Sequence, residues 1–144
     1  MQVDFYQLSR DPVERVVPLL AGKVLDSGER LLVVTRDAEQ RQALSKALWE
    51  AEGFLAHGMA DLPHAERQPI LLSDGCAALN GARMALIADG RWREEVAGFA
   101  RVFLLFDEAG TVAARELWQA MAARAGVERR IFKQTPRGGW REGA

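Results

Sequence analysis

Apolar positions in this chain recur with two different periods, and the alternation of those periods predicts its elements. Val3 to Leu8 reads as a strand. Val13, Val16, Val17, Leu20 and Val24 then recur at helical spacing. Asp11 is placed to cap this helix, with Pro12 at its first position and Glu14 in capping-box position. The helix is expected to stop near Gly28. Leu31-Leu32-Val33-Val34 is a β-prone run without polar interruption, the pattern of a strand buried on both faces. Asp37 can cap a second helix running to about Ala51, with Gln40 three residues on and Leu44, Ala47, Leu48 and Ala51 as its core stripe.

The middle of the chain is less regular. Gly53-Phe54-Leu55-Ala56-His57-Gly58 reads as an extended piece between glycines. Pro69 to Ser73 and Met84 to Ala88 read as strands, flanked by loops at Asp61 to Gln68 and Asp74 to Gly81. Trp92 to Ala97 suits a short helix. Val102-Phe103-Leu104-Leu105-Phe106 is the most apolar strand, and Asp107 to Arg124 is a helix ended by Gly126. Val127 to Lys133 reads as a final edge strand and Thr135 to Trp140 as a tail. Strands alternating with helices predict an α/β fold: one domain over residues 1–134 with a mostly parallel or mixed central sheet flanked by helices, and a C-terminal tail over 135–144.

Composition narrows the class. A chain of 144 residues can bury one real core. A formal charge of −1 does not advertise a polyanionic partner for the molecule as a whole. The one cysteine, Cys76, excludes a disulfide framework and fits a reducing cytoplasm. No basic segment followed by an apolar run opens the chain, and no apolar stretch approaches membrane-spanning length, so a cytoplasmic location is expected.

An α/β sheet invites a search for nucleotide chemistry. The chain has no Gly-x-x-x-x-Gly-Lys-Ser/Thr loop, and Ser9-Arg10-Asp11-Pro12 after the first strand contains no glycine. His57 and His64 lack metal-ligand spacing, so no cofactor or metal is expected. Asp107-Glu108 follows a strand, where α/β enzymes place catalytic groups, but a helix cap and a dipole partner account for both.

Two tryptophans stand out instead. With Ala109, Ala113, Leu117, Ala120 and Met121 as the core stripe of the last helix, Trp118 lies about 100° round from Leu117, on a stripe with Thr111, Arg115 and Ala122. Arg115 and Trp118 are three residues apart and therefore neighbours on the helix surface. A guanidinium beside an aromatic wall suits a peptide C-terminus that ends in an aromatic residue. Trp49 falls on a polar stripe with Gln42, Ser45 and Lys46, and would supply a second wall if the two helices met across one pocket. The alternative for each ring is a boundary residue, half-buried against its neighbours.

The order and spacing of short motifs over most of the chain resemble the chi subunit family of bacterial DNA polymerase III. The motifs are Asp4-Phe5-Tyr6-Gln7-Leu8, Gly28-Glu29-Arg30-Leu31-Leu32-Val33, Asp37-Ala38-Glu39-Gln40, Ala47-Leu48-Trp49, Gly53 to Gly58, Pro69 to Ser73 and Ala114-Arg115-Glu116-Leu117-Trp118. The resemblance implies a non-catalytic α/β domain similar to a nucleotide-binding fold without a phosphate loop. It implies an adaptor that bridges the psi subunit of the clamp loader to the acidic, phenylalanine-ended C-terminal tail of single-stranded DNA-binding protein. By the same resemblance Trp49, Arg115 and Trp118 would hold the tail over Leu104, and Phe54 and His57 would mark the psi surface. Thr111 and Gln119 stand where relatives have lysines, which Lys46 or other basic residues would have to replace, and Ala56 stands where relatives have proline.

A second reading rests on Arg129, Arg130, Lys133, Arg137 and Arg141, with Phe132 and Trp140 interleaved: a basic segment that binds single-stranded nucleic acid directly.

Overall fold

A computed structural model describes residues 1–143. Its elements in chain order are β1 (Gln2–Gln7), α1 (Val13–Asp26), β2 (Leu31–Val34), α2 (Ala38–Glu50), β3 (His57–Met59), β4 (Ile70–Ser73), β5 (Met84–Ile87), β6 (Arg101–Phe106), α3 (Thr111–Ala122), β7 (Glu128–Gln134) and β8 (Trp140–Gly143). The strands form one sheet in the order β3-β4-β2-β5-β6-β1-β7-β8. Every pairing is parallel except β7 with β8. The α/β expectation therefore holds.

The strand order decides which helix covers which face. α1 carries the chain from β1 across to β2, and α2 carries it further the same way to β3. α3 carries it from β6 to β7 in the opposite direction. Right-handed crossovers of opposite direction must lie on opposite faces. The core accordingly has two halves. Val16, Val17, Leu20, Val24, Leu44 and Leu48 of α1 and α2 pack with Leu31, Val33, Leu72 and Leu105. Ala114 and Met121 of α3 pack on the other face with Phe5, Val34, Leu71, Ile87 and Leu104, joined by Val96 and Phe99. All four residues of β2 are fully buried, as an unbroken apolar run in the middle of a parallel sheet requires.

Several local readings change. Asp11 does not cap α1; Pro12 occupies the cap position without a side-chain bond, and its carbonyl accepts from Arg15 and Val16 N–H. The Asp11 carboxylate instead accepts from Gln134 Nε2 at 2.9 Å. Asp37 does cap α2, through Glu39 N–H, but Gln40 closes no capping box. Its amide donates to the Ala88 carbonyl, and its oxygen accepts the Thr35 hydroxyl, so it ties α2 to the ends of two strands. Residues 94–98 form a 3-10 turn in place of the short helix, and a 3-10 turn capped by Asp107 precedes α3. β7 is not an edge strand: it pairs with β1 on one side and β8 on the other. The segment read as a tail supplies β8, because Trp140 packs edge-on against Tyr6, with centroids 5.1 Å apart, while Phe132 stacks on the same ring at 4.9 Å.

Among the described residues one carboxylate is buried inside this apolar frame. Asp4, in the middle of β1, is fully buried. Arg101 of β6 donates to it through Nε at 2.8 Å, and Arg130 of β7 through Nε and Nη2 at 3.1 and 3.2 Å. Gln2 adds a bond at 3.0 Å. Removing the partners of a buried charge costs about 3–5 kcal/mol. The Arg101→Ala/Arg130→Ala double variant should lose stability on that scale in urea denaturation, and Arg130→Ala alone clearly less, since Arg101 stays. Equal losses in the single and double variants would refute the shared clamp.

Candidate partner-binding site

In doubly wound folds, ligands enter at the carboxyl ends of the strands, where crossovers diverge. This chain has a cavity of about 1110 Å³ there, lined by Arg36, Asp37, Ala88, Asp89, Arg91, Phe106 and Asp107 among others. Of its charged groups, Asp89 is the one held in an ion pair among the described residues. Arg93 grips Asp89 with two bonds of 2.8 and 2.7 Å, and Arg36 and Arg91 N–H donate to the same carboxylate. Burial pushes the Asp89 carboxyl up, but the Arg93 guanidinium and these N–H groups outweigh it and hold it below its ordinary value. Stability from this pair is thus present above about pH 4 and lost as pH falls through the lowered folded value.

The crevice between the ends of β1 and β6 holds a second cavity of about 700 Å³, lined by Ser9, Arg10, Asp11, Asp107, Glu108 and Thr111 among others, but the N–H groups after β1 are taken. A phosphate at this place would take the backbone N–H groups that follow β1. Here Gln134 Oε1 accepts from Ser9, Arg10 and Asp11 N–H at 3.2, 2.9 and 3.1 Å. A side chain of β7 occupies the anion position, so the loop needs no glycine.

The residues singled out from the sequence lie on two other surfaces. On α3 the residues turned inward are Ala114, Leu117, Trp118 and Met121, while Ala113 and Ala120 are exposed. The stripe expected from sequence is rotated by part of a turn, and Trp118 belongs to the inner side. Its ring meets Phe5 edge-on at 5.2 Å, and the Arg129 guanidinium lies over its face at 4.0 Å while donating to the Trp118 carbonyl. Trp118 is half-buried, the boundary arrangement. Arg115, one helical turn away, is exposed, and among the described residues it has neither an ion pair nor a hydrogen bond. Leu104, in register with Phe5, is 1% exposed, so it supports this surface from beneath and is not itself a contact.

The second surface is at the β3 edge of the sheet. Trp49, at the end of α2, is 66% exposed and lies against His57 with ring centroids 4.8 Å apart. His57 is buried. Its Nδ1 lies 2.9 Å from the Leu55 carbonyl, which can only accept, so Nδ1 donates and Nε2 accepts the Ser45 hydroxyl at 2.9 Å. His57 is therefore a strut under Trp49. Phe54, in the same loop, is 83% exposed.

The two tryptophans do not share a pocket. α2 and α3 cover opposite faces, and the rings sit over β3 and β1, five strand spacings of about 4.8 Å or roughly 24 Å apart along the sheet. The structure joins Arg115 with Trp118, and Trp49 with His57. Sequence reasoning placed Arg129 in a basic segment and missed its role over Trp118. The period-two alternation of a strand, which sends Arg129 and Arg130 to opposite faces, was the available signal. It also turns Phe132 and Trp140 onto Tyr6, away from any base that would stack on them.

Fold and sites together define a class: a doubly wound α/β domain in which a glutamine side chain takes the N–H groups after the first strand and exposed aromatic and cationic groups stand on the outer surface. The chain belongs to the DNA polymerase III chi subunit family, since the family model described as "DNA polymerase III chi subunit, HolC" matches residues 1–128. It is also similar to a protein of Rickettsia prowazekii (strain Madrid E) named "Probable DNA polymerase III subunit chi". The two are 25% identical over 150 residues, which span 96% of this chain and 90% of that relative. Membership makes it an accessory subunit of a DNA polymerase complex in DNA replication, without catalytic activity of its own. No helix among the described residues is long and apolar enough to cross a membrane.

The two rings should behave oppositely on truncation. Trp118→Ala leaves a void against Phe5 and Arg129 and should cost about 2–4 kcal/mol. Trp49→Ala removes an exposed ring and should stay within about 0.5 kcal/mol of the parent. Thermal unfolding of the two variants checks this, and a large loss for Trp49→Ala would contradict its placement.

Proposed function

We propose that this chain is an adaptor that links the clamp loader of DNA polymerase III, through the psi subunit, to the acidic C-terminal tail of single-stranded DNA-binding protein. The tail site is the flank of α3 carrying Arg115 and Trp118, backed by Phe5 and Leu104. The psi surface is the β3 edge with Phe54 outermost, His57 as its support and Trp49 beside it. The family supports the replication role. One observation carries the tail site: an exposed guanidinium without a carboxylate partner, one helical turn from an aromatic ring held in place on both sides. Such a guanidinium suits a terminal carboxylate bidentately, and the ring edge suits an apolar side chain next to it.

Titration of the full chain with an acidic peptide ending in phenylalanine tests this. Arg115→Ala should lose about 1.5–3 kcal/mol of binding, roughly ten- to 150-fold. No binding by the parent chain, or equal binding by Arg115→Ala, sinks the tail site. For the other surface, Phe54→Ala and Trp49→Ala should weaken capture of purified psi subunit and leave the peptide affinity alone. A loss of peptide binding in Trp49→Ala as large as that in Arg115→Ala would return Trp49 to the tail site.

A further inference from the structure

Apart from its first residue, Glu128, the hairpin of β7 and β8 lies outside the span matched by the family model. Strand alternation divides its side chains between the two faces of the sheet. Phe132 and Trp140 turn to Tyr6 on the α1 side. Ile131, Lys133 and Arg141 therefore turn to the α3 side, where Ile131 packs against the core and Arg129 covers Trp118. Glu142 is opposite Phe132 and so faces away from them. Lys133 and Arg141 are direct cross-strand partners, and both are exposed. Like charges directly opposite destabilise an antiparallel pair. Among the described residues no carboxylate pairs with either.

The helix presents its own cation to the same place. At about 100° per residue, Thr111, Arg115, Trp118 and Ala122 share one flank of α3. Trp118 leans on Phe5 and Arg129, so this flank is the one turned toward β7. Arg115, Arg129, Lys133 and Arg141 thus stand on the same side of the sheet, around the flank of α3 that carries Trp118, with Ile131 in the core beneath. α3 itself contains no lysine.

We propose that the β7–β8 hairpin completes the peptide site, with Lys133 and Arg141 holding the acidic segment that precedes the terminal residue seated at Arg115 and Trp118. This rests on the tail reading above and names the residues that recognise the tail's charge. An acidic peptide fits better than a nucleic acid strand, because both hairpin aromatics face the core and the outer face of Trp118 is covered by Arg129. The unfavourable pairing of Lys133 with Arg141 is relieved when carboxylates come between them.

Three labelled probes test it against the full chain: an acidic peptide ending in phenylalanine, its analogue with asparagine in place of the acids, and a single-stranded DNA oligonucleotide. Lys133→Gln/Arg141→Gln should bind the acidic peptide roughly five- to thirty-fold more weakly at low salt. It should flatten the salt dependence, leave the neutral analogue's affinity unchanged and not lower the melting temperature. Lys133→Glu, which pairs Arg141 within the hairpin, should bind the acidic peptide more weakly at an unchanged or higher melting temperature. Parental affinity for the acidic peptide in the double variant, with binding lost in Arg115→Ala, overturns this inference and leaves the tail site standing. No peptide binding by the parent chain removes both. Tighter binding of the oligonucleotide than of the peptide, lost in the double variant, overturns the inference in favour of nucleic acid.

Discussion

A buried carboxylate in the middle of the sheet organises this molecule. Asp4 stands on an interior strand and cannot keep its charge without partners, so the strands on both sides must deliver a guanidinium to it. Arg130 can meet Asp4 in only one register of β7, the one in which the two residues are direct neighbours. A slip of a single residue would exchange every side chain of β7 between the faces. The clamp on one face therefore places Arg129 over Trp118 on the other, and with it the positions of Ile131 and Lys133. The surface that carries the proposed peptide site is set by an interaction on the far side of the sheet.

The same strand also shapes the carboxyl end of the sheet. Gln134, at the end of β7, takes the three N–H groups that a phosphate would otherwise meet. The Asp89–Arg93 pair neutralises one carboxylate of the neighbouring cavity. Exposed cations and aromatics also stand on the outer flanks, at Arg115 and the hairpin on one side and at Trp49 and Phe54 on the other.

Much of the architecture was legible along the chain. The five valines and leucines of α1 repeat so regularly that its inner face admits one reading, and the continuous Leu31–Val34 run marked a strand covered twice. Trp49 was correctly read as exposed because its stripe is otherwise polar. α3 was misread because its alanines are interchangeable: Ala113, Ala114 and Ala120 have the same side chain, and only the fit of Trp118 against Phe5 decides which of them turns inward. The Asp11 cap failed because Gln134, more than 120 residues away, competes for the same carboxylate. The hairpin was missed because a single ring, Trp140, anchors a segment otherwise rich in glycine and charge.

Periodicity is a local property, and the sequence alone therefore determined the three long helices, the strands other than β8, the α/β class and the neighbourhood of Arg115 and Trp118 on one helix. Face and adjacency are not local. Whether Trp49 could meet Trp118 depended on the direction in which each crossover runs along the sheet, and α2 and α3 run oppositely. Whether the basic C-terminal residues were solvated, buried or gathered at one site depended on a register fixed by Asp4. Those questions belong to strand order and pairing, which only the tertiary structure decides, because the contacts that settle them join residues from opposite ends of the chain.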